Sequence, residues 1–148
     1  MRTPLLFTAL AASLISLSAC AGQEAPAPVA PTAPTQAMFV GQPLSLINDQ
    51  GRCTLVKPDK THLTLDMEWP CQFSLGQDRK LRVETFRQVP IFMVERSEPM
   101  PAPSRDCLTK LQAVRQIKGT LEVSDVNQFA SCGPGQWDQK MYVAFFRW

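Results

Sequence analysis

The sequence predicts a mainly β protein: a small antiparallel sandwich or partly open barrel, stapled by two disulfides, with one short helix allowed near an end. Three observations carry this. From His62 to Trp69 polar and apolar residues alternate strictly, with Leu63, Leu65, Met67 and Trp69 on one face and His62, Thr64, Asp66 and Glu68 on the other. That is the period of a half-buried strand. Val89 to Val94 (VPIFMV) is a dense apolar run, suited to a strand covered on both faces. Turn residues punctuate such runs at short intervals, as at Asn48-Asp49-Gln50-Gly51, Pro58-Asp59-Lys60 and Gly76-Gln77-Asp78.

Taken in order, the single globular domain is expected over 38–148. It opens near Met38, where Phe39, Val40, Leu44, Leu46 and Ile47 supply apolar positions. Cys53 to Val56 is short and β-branched, and Trp69-Pro70 marks a strand end or an edge position. Cys71 to Leu75 resumes the alternation, and Lys80 to Phe86 alternates again, Leu81 and Val83 against Lys80, Arg82 and Glu84. Glu95 to Arg105 (ERSEPMPAPSR) reads as a long loop carrying Pro99, Pro101 and Pro103. It is either a rigid connector or a recognition loop presenting Met100.

Cys107 to Val126 admits two readings. Leu108, Leu111, Val114 and Ile117 recur every three residues, as on a helix. A hairpin turning at Lys118-Gly119 instead sets Ile117 opposite Thr120, Arg115 opposite Glu122 and Val114 opposite Val123. One register then yields a charge pair and an apolar pair, which favours the hairpin. Cys132-Gly133-Pro134-Gly135 is a structural turn, lacking the lysine of a phosphate loop. In the terminal WDQKMYVAFFRW, Asp138 could begin a helix, while Met141 to Phe146 is apolar enough for a central strand. Either way it should tie down the C-terminus. Its aromatics, Trp137 and Trp148 above all, are candidates with Met100 for a binding surface.

The N-terminus carries an address. Arg2 is the only charge before Glu24, and an apolar run over positions 5–17 ends at Leu17-Ser18-Ala19-Cys20. Charged start, short apolar run and small residues make a secretory signal, too short to span a bilayer. The Leu-Ser-Ala-Cys stretch resembles the cleavage and lipidation box of bacterial lipoproteins. The resemblance covers about the first 20 residues only. It implies removal of 1–19 by signal peptidase II and diacylglycerol on Cys20. Ala21 follows the cysteine, where aspartate would mark inner-membrane retention in many enteric lipoproteins, so an outer-membrane address facing the periplasm is expected. Positions 20–37 then form a Pro/Ala-rich tether with Pro26, Pro28, Pro31 and Pro34, able to reach roughly 50 Å at about 3.1 Å per residue.

With Cys20 assigned to lipid, Cys53, Cys71, Cys107 and Cys132 remain. An even set in an exported chain reads as two disulfides, with three pairings open. Neighbour pairing, Cys53–Cys71 and Cys107–Cys132, is the one expected, each worth about 3 kcal/mol on the chain-entropy model. Zinc does not fit, because no C-x-x-C occurs and His62 is the single histidine. No cofactor or metal is expected.

Composition narrows the function. The formal charge is +2, falling to about +1 once Arg2 leaves with the signal. That is too little for a nucleic-acid binder. The one basic cluster, Arg79, Lys80, Arg82 and Arg87, reads as a solvated strand face. Asp66 and Glu68 share a strand face, but alternation alone places them there, and neither a G-x-S-x-G elbow nor an H-E-x-x-H occurs. The reading is not an enzyme. A tethered protein-binding module is expected, of accessory, assembly, inhibitor or immunity type, acting on an envelope protein partner. The alternative is a small-ligand or glycan-binding lipoprotein that uses the C-terminal aromatics.

Overall fold

The computed structural model describes residues 33–148; the expected signal, Cys20 and the tether to position 32 lie outside the described residues. The strands are β1 (Gln36–Phe39), β2 (Gln42–Asp49), β3 (Arg52–Val56), β4 (His62–Glu68), β5 (Gln72–Phe73), β6 (Glu84–Phe86), β7 (Val89–Pro99), β8 (Cys107–Ile117) and β9 (Thr120–Phe129). One helix, α1 (Gln139–Ala144), follows. The first sheet is the antiparallel meander β1-β2-β3-β4. The second runs β5-β7-β8-β9, and β6 pairs with β7 as well. This is the expected mainly β sandwich, open rather than closed into a barrel, with one short helix among the described residues.

Four hairpins close on two residues. Phe39 faces Gln42, Asp49 faces Arg52, Phe86 faces Val89 and Ile117 faces Thr120. In each, both turn residues have positive φ: Val40 and Gly41 at 48° and 74°, Gln50 and Gly51 at 50° and 84°, Arg87 and Gln88 at 48° and 65°, Lys118 and Gly119 at 50° and 83°. This is the mirror-image turn whose twist matches that of the flanking strands. Three of the four place glycine second, where it carries no Cβ penalty. The β6–β7 turn has none.

The hairpin of β8 and β9 has the expected register, Arg115 opposite Glu122 and Val114 opposite Val123. Further along, β9 spends three residues from Val123 to Val126 where β8 spends two, so the ladder bulges at Ser124 and Asp125. Gln112, fully buried, serves the irregularity. Its Nε2 donates to the Ser124 carbonyl at 2.7 Å, and its Oε1 accepts from the Asp66 N–H of β4 at 2.8 Å. The same amide thus satisfies the edge of the first sheet and the bulge of the second.

β7 is covered on both faces, as the VPIFMV run predicts. Phe92 and Val94 face the first sheet, in a core with Leu46, Leu55, Leu65 and Phe73. Ile91 and Met93 face the other way, in a second core with Leu111, Ala113 and Tyr142. Both disulfides have the expected pairing. Cys53–Cys71 joins β3 to the residue before β5, sheet to sheet. Cys107–Cys132 ties the start of β8 to the segment after β9.

Several local expectations are corrected. Ladder pairing begins at Gln36, and Phe73 N–H donates to the Pro34 carbonyl at 2.8 Å, so the fold takes in residues before Met38. The stretch from Glu95 is not a loop: β7 continues to Pro99 because β8 pairs with it to the end, Pro99 opposite Cys107. Proline is tolerated there as the terminal residue of a ladder, and the loop shrinks to 100–106, closed by Met100 N–H on the Asp106 carbonyl. Lys80 to Phe86 is not one strand. Leu81 bridges Leu75, and only Glu84–Phe86 reaches β7, whose edge β5 already occupies further along. Cys71 to Leu75 likewise shortens to the two residues of β5. Met141 to Phe146 is not a strand either. Asp138 Oδ1 accepts from the Met141 N–H at 3.0 Å and starts α1, and Met141, Tyr142 and Phe145 turn onto the exposed side of the second sheet. Among the described residues no helix is long and apolar enough to cross a membrane.

Candidate binding surface

The three residues expected to mark a surface part company. Met100 lies in the β7–β8 loop, 45% exposed. Trp148 packs against Phe86, at the opposite end of the ladder. Eight positions of β7 separate Ile91 from Pro99, roughly 26 Å at a strand rise of about 3.3 Å. Trp137 is half-buried against Phe129, and its Nε1 donates to Glu95 at 2.9 Å. It belongs to the second core. Of the three, only Trp148 joins a partly exposed cluster of aromatic and arginine side chains.

That cluster is assembled by topology. Arg115 near the end of β8 has its guanidinium 4.4 Å from the Phe146 ring centre and 5.1 Å from that of Trp148. Its nitrogens donate to Glu122 at 3.0 Å and to the Arg147 carbonyl at 3.4 Å. The planar fork therefore anchors the chain end by stacking and hydrogen bonds at once. Trp148 Nε1 donates to the Val143 carbonyl at 2.8 Å, capping α1 from its own tail. The ring meets Phe86 edge-on at 4.8 Å and stays 39% exposed. Beside it an open groove of about 320 Å³ runs between α1 and β6, lined by Phe86, Gln139, Lys140, Val143 and Ala144.

Cations frame the groove. Arg87, in the glycine-free turn, lies over the Phe86 ring at 5.4 Å. Lys140 lines the groove, and neither Arg87 nor Lys140 forms an ion pair among the described residues. The basic cluster read from the sequence does not hold together here. Arg82 turns inward to Glu84 at 2.9 Å and over the Tyr142 ring at 5.5 Å, while Arg79 and Lys80 stay on the 76–80 turn. What remains at the groove is an aromatic floor with a positive rim, able to receive an apolar side chain next to an acidic one. Phe86 and Arg87 carry no sequence signal for this, since only the fold sets them beside the C-terminus.

Glu95 fixes the cover from beneath. It is buried and accepts from Gln72 Nε2 at 3.0 Å, Trp137 Nε1 at 2.9 Å and the Gly135 N–H at 3.4 Å. Gly135 is required there, because a Cβ would overlap the Trp137 ring. Burial pushes the Glu95 carboxyl above its ordinary value, and the three donors only partly offset this. The folded state thus keeps its proton to a higher pH than the unfolded chain. The contribution of Glu95 to stability is greatest at acid pH and is lost as pH rises from the ordinary 4.5 through the raised native value. Glu95→Gln keeps the shape without the charge, with Gln72 turning its amide to match. Thermal unfolding should show the variant melting above wild type at pH 7, by a margin that disappears near pH 4. An equal loss of melting temperature at both values contradicts this.

Nearby, burial raises the Tyr142 phenol to about 12. Its hydroxyl and that of adjoining Ser74 are both buried, and among the described residues neither has a partner in hydrogen-bond geometry. The two carboxylates on the β4 face are each held by cations. Asp66 pairs with Arg52 at 3.2 Å, and Glu68 with Lys110 at 2.7 Å and Arg96 at 3.8 Å. The Lys110 contact holds Glu68 below its ordinary value. His62 stands at the start of β4 opposite Val56, exposed. Comparison with family models, with curated proteins and with solved structures finds no match.

Proposed function

We propose that the chain is an envelope lipoprotein, held in the outer membrane by lipid on Cys20, whose periplasmic domain is a protein-binding module of accessory, assembly, inhibitor or immunity type. The observation that carries the reading is the surface around Trp148: an exposed aromatic end, a groove floored by Phe86 and a rim formed by Arg87 and Lys140, which have no ion pair among the described residues. Aromatic and arginine side chains of this kind dominate the energetics of protein interfaces. The groove is at the small end of the range for ligand pockets, about 300–1,000 Å³, so it suits an anchoring side chain better than an enclosed ligand. The envelope setting is supported by the lipoprotein-like box and the two disulfides.

The test is a photo-reactive residue at Gln139, in the groove, in the full chain expressed in its envelope. A discrete protein adduct is expected from position 139 and none from position 102, in the β7–β8 loop at the other end of the ladder. Equal adducts from both positions, or none from 139, would count against the reading. The exposed ring of Trp148 also favours a second reading, stacking on a glycan or small amphiphile. In that case tryptophan fluorescence should respond to cell-wall fragments, and it should lose the response in Trp148→Ala.

A further inference from the structure

We propose that the tip of the β1–β2 hairpin is a second membrane contact, with Met38 and Val40 in the bilayer interface and Lys57 and Lys60 on anionic headgroups. The inference begins with burial. Met38 and Val40 are 60% and 58% exposed, while Phe39 between them is 2% exposed and packs on Phe92. Alternation therefore sends Met38 outward from β1, and Val40 follows in the exposed turn. Pro43 sits opposite Met38 in the ladder. An open groove of about 480 Å³ continues this side, its lining including Met38, Pro43, Val56, Pro58 and the two lysines.

The charges agree in sign with an anionic surface. Neither Lys57 nor Lys60 is ion-paired among the described residues. The acid between them, Asp59, is turned onto Thr61, whose N–H and hydroxyl both donate to it. Protruding apolar side chains flanked by lysines are the composition of interfacial membrane binding.

Val40 adds an independent observation. It occupies the left-handed region at φ 48°, where a β-branched residue is a genuine outlier and asparagine or glycine is preferred. An exposed valine there helps neither the turn nor solubility, so the residue fits a requirement outside the fold. Position also matters. Ala33 stands thirteen positions after Cys20, a reach of about 40 Å at most in extended form. The lipid anchor proposed above would hold the hairpin near the surface and make a weak contact effective. In that respect only, the inference rests on the anchored reading.

The test separates the two. The mature chain with Cys20→Ser carries no lipid, so its binding to vesicles reports the domain alone. It should sediment with phosphatidylethanolamine–phosphatidylglycerol vesicles, more weakly at high salt, and not with phosphatidylcholine vesicles. Each lysine near an anionic surface is worth a factor of about five, so Lys57→Ala with Lys60→Ala should weaken binding roughly twenty-five-fold. Val40→Asn builds the favoured Asn-Gly turn, so it should raise the melting temperature and still weaken binding. Equal binding to both vesicle types, or a Val40→Asn variant with raised melting temperature and unchanged binding, overturns the proposal. So does a photo-reactive residue at position 40 that captures protein and no lipid in membranes. The mass of the Cys20 adduct in the natural chain reports the anchor separately.

Discussion

Replacing Cys53 and Cys71 together by alanine is expected to lower the unfolding free energy by about 3 kcal/mol, read from the urea midpoint and slope together, the slope rising because the denatured chain without the crosslink exposes more surface. The two cysteines are 18 residues apart, and both are buried in the core between the sheets. Alanine avoids leaving a hydroxyl in that core. The bond does what the backbone does not: β5 contributes only two paired residues to the second sheet, so the covalent tie carries the connection from β3. Cys107–Cys132 closes a comparable loop of 25 residues, but its Cys132 end is exposed. A loss below about 1 kcal/mol for the first pair would mean that the denatured chain is already compact around it.

Gln112→Leu is expected to cost about 2–4 kcal/mol, although leucine is apolar and close in size. The cost comes from two backbone groups left without a partner, the Asp66 N–H and the Ser124 carbonyl. A buried polar group stranded in this way loses about 1–3 kcal/mol. Ser124 Oγ still accepts from the Ala113 N–H at 3.0 Å, so the bulge itself should survive. Hydrogen exchange distinguishes this from general loosening. The Asp66 amide should lose protection by more than the amides of β2 and β3 do. A stable variant with a protected Asp66 amide would show that the seam does not depend on Gln112.

Much of the fold was legible because apolar residues follow strand periods wherever a strand is half or fully covered. HLTLDMEW became β4, VPIFMV became the doubly covered first half of β7, and Lys118-Gly119 set the β8–β9 register. Other features leave no local trace. The Arg87-Gln88 turn has no glycine to announce it. The second half of β7 hides behind charges and Pro99, and a buried Glu95 looks like a surface residue until Trp137 and Gln72 are seen donating to it. A six-residue apolar run at the C-terminus fits helix or strand equally, and only the Asp138 cap and the open face of the second sheet decide it. The surface divides the same way. Trp148 was visible as an aromatic end, but Phe86, Arg87 and Lys140 reach it through the pairing of β6 with β7 and the placement of α1.

The most direct measurement uses one variant of the full chain, Arg87→Asn with Gln88→Gly, carrying the photo-reactive residue at position 139. Asn-Gly is the pair that this turn geometry favours, so relief of the left-handed strain should stabilise the domain by about 1 kcal/mol or more. If Arg87 belongs to a protein-binding rim, the variant melts higher than its parent and gives less than about a tenth of the adduct, as expected when an interface arginine worth at least 1.4 kcal/mol is lost. A higher melting temperature with the adduct undiminished would contradict a protein-binding surface at this end of the sandwich.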